Sequence, residues 1–113
     1  MQVLQKCLTL RANADNAIKA ERQRPNGYIY FLYANGLCKI GKTTRTIGER
    51  VSSLKVGNAR AILLGYIETE NCHVLEKQLH AEYGRLRKKG EWFKLSMGEV
   101  REIIDCFRGT VVS

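Results

Sequence analysis

The stretch Gly36-Leu37-Cys38-Lys39-Ile40-Gly41-Lys42-Thr43 satisfies G-x-x-x-x-G-K-[ST], the pattern of a loop that cradles nucleotide phosphates. That chemistry needs a strand ending before the first Gly and a helix starting near the Lys, so that backbone N–H groups converge on the anion. Here the middle residues read as a strand, Asn35-Gly36 reads as a hairpin turn, and the next helical signal starts near Ile47. The segment AILLGYIE (61–68) ends in Glu68 and lacks the Asp that such proteins place at a strand end. We therefore expect no nucleotide cofactor. A metal site built from Cys72, His73 and His80 lacks a paired-cysteine spacing, and the four cysteines lie far apart. Neither zinc nor a disulfide framework is expected, and Cys38 and Cys106 read as core thiols.

The 113 residues suit one domain, and 44% hydrophobic residues suffice for a core. The net charge of +8 points to a polyanionic partner, most often nucleic acid. No apolar run is long enough for a membrane span, and MQVLQKCLTLRANAD does not read as a secretory signal. The expectation is a cytoplasmic protein with no membrane partner.

The elements follow from period and punctuation. Val3, Cys7, Leu10, Ala14 and Ile18 recur at helical spacing, which predicts an N-terminal helical extension over 1–26, ended by Pro25 and Gly27. YIYFLY and LCKIG around Asn35-Gly36 predict a hairpin with strands over 28–33 and 37–42. A two-residue turn sets Tyr30 opposite Gly41. Ile29, Phe31, Cys38 and Ile40 then share the core face, and Tyr28, Tyr30, Lys39 and Gly41 share a second face that is polar and aromatic. Thr46 and Glu49 form a capping box for a helix with the stripe Ile47, Val51 and Leu54, ended by Gly57. A third strand covers 61–68, and Thr69 or Asn71 caps a helix running to about Lys88. EWFKL is a short strand, and Ser96 with Glu99 caps a last helix carrying Val100, Ile103, Ile104 and Phe107. The expected fold is α/β (α+β), with a three- to four-stranded, mainly antiparallel sheet flanked by helices. The domain covers 27–108, and 109–113 is a tail.

Tyr28-Ile29-Tyr30 followed by Lys39-Ile40-Gly41-Lys42 resembles the paired signature of the GIY-YIG nuclease superfamily, in its short stand-alone branch with a KIG second triad. Arg50 on the next helix, Glu76 on the long helix and the later GEWFKL block extend the resemblance over about residues 27–105. The resemblance implies a metal-dependent DNA endonuclease. Glu76 would hold Mg²⁺ or Mn²⁺, Arg50 would contact the scissile phosphate, and Tyr30 would activate or position the water. Lys39, Gly41 and His80 complete the implied catalytic set. Lys39 stands where the wider family has its second Tyr, and Leu54 where it often has His or Tyr. Those departures motivate the alternative, a nucleic-acid-binding module that does not cut.

Two basic stretches suit DNA phosphates. One comprises Lys42, Arg45 and Lys55, and the other Arg85, Arg87, Lys88 and Lys89 beside Trp92. With one active site, cutting both strands of a duplex requires a homodimer or successive nicks.

Overall fold

A computed structural model of the chain describes residues 2–21, 25–50 and 60–113. Val51, Leu54, Lys55 and Gly57, and the side chain of Val3, lie outside the described residues.

The hairpin forms as its turn chemistry dictates. Strand β1 (Gly27–Ala34) and strand β2 (Leu37–Thr43) are antiparallel, with Tyr30 opposite Gly41 and Phe31 opposite Ile40. Asn35 and Gly36 both take positive φ, 54° and 77°, which these two residue types tolerate. Helix α2 opens at residue 47 and is described as far as residue 50. The Thr46 hydroxyl accepts from the Glu49 backbone N–H at its start. Strand β3 (Ile62–Thr69) pairs with the other side of β1.

Asn71 caps helix α3 (Cys72–Glu82) by accepting from the Val74 N–H. This helix stops at Glu82 instead of reaching Lys88. A 3₁₀ turn (Gly84–Leu86) follows, and then strands β4 (Arg87–Lys89) and β5 (Trp92–Phe93). Gly90, with φ 55°, makes the turn between those strands. Ser96 and Glu99 form the expected capping box of helix α4 (Met97–Cys106). The chain ends in strand β6 (Thr110–Val111), where a tail was expected.

The sheet has six strands in the order β4-β5-β2-β1-β3-β6, not three or four. The described pairings are all antiparallel. Ile29, Phe31, Cys38 and Ile40 meet Leu75 and Leu79 of α3 and Val100, Ile103 and Ile104 of α4 in one core. Full burial of each large apolar side chain contributes about 1.5–3 kcal/mol.

Helix α1 (Gln2–Ala20) packs on α3 and α4, with Leu10 and Ala14 in the same core. Cys7 and Cys106 form a disulfide, which corrects the reading of Cys106 as a core thiol. Both are only half-buried, and the bridge spans 99 residues, a pairing that no local spacing signals. Among the described residues, no helix is long and apolar enough to cross a membrane.

Candidate active site at the edge of strand β2

Strand β5 pairs with β2 only at Cys38 and Lys39, and Ile40 N–H donates to the Glu91 carbonyl just beyond. Past that point, groups from both faces of the sheet come together around Gly41–Thr43. Tyr30 arrives from the second face of the hairpin. Its ring lies across Gly41, where a Cβ would overlap the ring carbon Cζ and the hydroxyl. The missing side chain at position 41 therefore makes room for the phenol. Tyr30 was expected on an open polar face, yet it is 0% exposed.

Arg50 reaches the same place from α2, with its guanidinium carbon 6.0 Å from the Tyr30 ring centroid, a cation–π distance. Burial pushes the Tyr30 phenol above its ordinary 10.0, and the Arg50 guanidinium only partly offsets this. Glu91 and Glu76 are near enough to push it further up. The phenol therefore keeps its proton at neutral pH.

Glu76 and Lys42 come from the inner face. Lys42 stands opposite Ile29, at the end of the core side of β2, and donates from Nζ to Glu76 Oε1 over 3.2 Å. Glu76 is 8% exposed, where a helical Glu is ordinarily solvated. Its second oxygen, Oε2, is buried and has no hydrogen-bond partner among the described residues. Among the described residues Arg50 Nε is in the same condition, and the Tyr30 hydroxyl, although the Arg50 guanidinium is near enough to draw its pKa down, makes no hydrogen bond of good geometry. Among the described residues, these are the only buried side-chain nitrogen or oxygen atoms without a partner. Each such atom ordinarily costs about 1–3 kcal/mol, and all three belong to residues singled out by the sequence.

The remaining candidates divide. The His80 ring nitrogen Nε2 lies 2.8 Å from the Ile40 carbonyl oxygen, and the ring packs against Phe93 at 5.0 Å. Nε2 therefore carries the proton and donates, fixing α3 to β2 and leaving Nδ1 as the nitrogen open to other use. Lys39 pairs with Glu91 across 3.8 Å. Glu91 is a neighbour of the site that the sequence did not single out, since nothing local signals its pairing with a residue on another strand.

Lys42, Arg45 and Arg50 line an open cleft beside Glu76. Arg85, Arg87, Lys88 and Lys89 are exposed on the 3₁₀ turn and β4, and so form part of the sheet edge rather than a helix end. The Arg87 guanidinium lies over Phe93 at 5.3 Å. Lys55 is outside the described residues.

Among the described residues, no three His, Cys, Asp or Glu side chains gather as a metal cage. One buried carboxylate with a free oxygen is instead the donor set that suits Mg²⁺, which keeps several waters and takes other oxygens from a phosphate.

Residues 27–108 match the T5orf172 domain, and the chain belongs to that family. No curated protein and no solved structure matches the chain.

Proposed function

We propose that this protein is a divalent-metal-dependent DNA endonuclease with a GIY-YIG-type site at the edge of β2. The observation that carries the reading is the set of three buried, unpartnered atoms: Tyr30 Oη, Arg50 Nε and Glu76 Oε2. A phenol, a guanidinium and a carboxylate oxygen are together complementary to a phosphate with its attacking water and a divalent cation. The resemblance of Tyr28-Ile29-Tyr30 and Lys39-Ile40-Gly41 to the GIY-YIG signature supports the same reading.

Glu76 Oε2 would hold Mg²⁺ or Mn²⁺, which supplies charge neutralisation at the phosphate when bound. Lys42 holds the other carboxylate oxygen in place through its ammonium group. Arg50 turns its planar donors on the non-bridging phosphate oxygens, where charge grows in the transition state. Tyr30, protonated because it is buried, donates from Oη and orients the attacking water rather than taking its proton. His80 is a positioning residue through its bond to the Ile40 carbonyl. The exposed basic residues of β4, with Lys42 and Arg45, supply sequence-independent affinity for the backbone.

A second reading is a DNA-binding module that does not cut. The Lys42–Glu76 ion pair favours it, because it occupies one oxygen of the carboxylate that would hold the metal. It predicts salt-dependent retention of DNA with no products.

The test is incubation of the purified protein with supercoiled plasmid and with single-stranded DNA, with and without Mg²⁺ or Mn²⁺, beside Glu76→Ala. The nuclease reading expects metal-dependent nicking that the variant loses. Retention of DNA in a gel shift without cleavage by the wild type would replace it with the binding-only reading.

A further inference from the structure

The cleft beside Glu76 holds more positive charge than one scissile phosphate requires. It has a volume of about 300 Å³, and among the described residues its charged lining consists of Lys42, Arg45 and Arg50, with His73 beside them and no Asp or Glu. Lys42 is already matched by Glu76. Among the described residues, neither Arg45 nor Arg50 lies within ion-pair distance of a carboxylate, and Arg50 Nε is buried without any partner. The Arg45 backbone N–H donates to the Thr43 hydroxyl over 3.0 Å, which shapes the turn that carries Arg45. Cations gathered in this way repel one another unless an anion joins them.

Helix α3 sets the spacing. His73 and Glu76 stand three residues apart and therefore share a face, about one helical turn along the axis. The Lys42–Glu76 pair ties the cleft to the reacting centre at one end, and His73 marks the other.

We infer that this cleft is a second phosphate subsite, in which Arg45 and His73 hold the backbone phosphate adjacent to the one that Arg50 and Glu76 address. The word "adjacent" rests on the nuclease reading; the anion site itself does not. Two neighbouring phosphates held by different side chains fix the direction in which a strand crosses the site. His73 then acts as a binding residue, a role distinct from metal ligation.

The experiment is a ¹⁵N–¹H NMR titration of the full chain with inorganic phosphate, and then with a short single-stranded oligonucleotide in the absence of divalent metal. The inference expects phosphate to move the amide signals of residues 43–45 and 72–73, and the oligonucleotide to displace it from the same residues. Arg45→Ala with His73→Ala should weaken the phosphate constant at least about tenfold, since the pair removes the guanidinium's charge-assisted bond and a ring N–H donor. The milder pair Arg45→Gln with His73→Gln should weaken it in the same direction. Shifts scattered over the surface, or an unchanged constant in both pairs, would overturn the inference. Phosphate binding that no oligonucleotide displaces would make the cleft a small-anion site and overturn the backbone assignment. Because no step involves cleavage, a protein that binds phosphate here and never cuts DNA keeps the subsite and loses the nuclease reading. One that nicks plasmid but binds no phosphate here does the reverse.

Discussion

The centre of the inner sheet face and the edge of β2 at Gly41–Thr43 are both buried, and they are built to opposite standards. At the centre, Ile29, Phe31, Cys38 and Ile40 pack against the leucines of α3 in an apolar cluster. At the edge, Tyr30, Arg50 and Glu76 bury polar atoms that have no hydrogen-bond partner among the described residues. The first arrangement is what stability alone selects. The second lowers stability wherever nothing binds, and such arrangements cluster at functional sites. A mutation at the centre should therefore be read in stability, and one at the edge in activity.

The largest contrast comes from removing the carboxylate. Glu76→Ala should lower plasmid nicking by about 10³-fold or more while the unfolding free energy stays within about 1 kcal/mol of wild type. A plasmid assay and a urea titration on the same preparation check both halves. Phe31→Ala should invert the pattern, costing about 3–5 kcal/mol in urea unfolding, because it opens a cavity among residues that cannot collapse onto it. Normal stability in that variant would break the comparison on the core side.

Gly41→Ala lies on the boundary between the two regions. Its methyl group would overlap the Tyr30 ring, so the phenol must move. We expect about 1–3 kcal/mol of lost stability together with a nicking rate reduced about tenfold to a hundredfold. Retention of full activity would show that the position of Tyr30 does not matter.

A smaller effect reads the burial of the core thiol by pH. Burial pushes the Cys38 thiol from its ordinary 9.0 up to about 12, and the Tyr83 phenol from 10.0 up to about 12. The native state holds these protons more tightly than the unfolded chain does. Their contribution is therefore complete below about pH 9 and is lost as pH rises toward 12. Urea unfolding from neutral to alkaline pH should show stability falling above about pH 9, with a shallower fall in Cys38→Ala. An identical slope in the variant would remove the thiol from the account.

The parts of this design that are written locally could be read from the chain. Asn35-Gly36 announces the hairpin, and the hairpin's register sets Tyr30 against Gly41. Ser96 with Glu99 and the Asn71 cap announce two helix starts. The parts that depend on distant partners could not. The basic run at 87–89 continues the helical stripe on paper, but it becomes a strand because β5 is there to pair with it. Cys7 finds Cys106, and Lys42 finds Glu76, only once the sheet and helices have assembled. Residue types and register placed Tyr30 on the non-core face, but only the packed fold shows that it is buried with its hydroxyl unpaired.

The most direct test removes one oxygen atom. Tyr30→Phe keeps the ring over Gly41 and deletes only the unpartnered hydroxyl. If the edge of β2 is maintained for a ligand, urea unfolding of this variant will show stability equal to wild type or higher by up to about 1–3 kcal/mol, while nicking of supercoiled plasmid falls about 10²-fold or more. A variant that loses stability and nicks at the wild-type rate would show that the hydroxyl serves the fold, and would contradict the account.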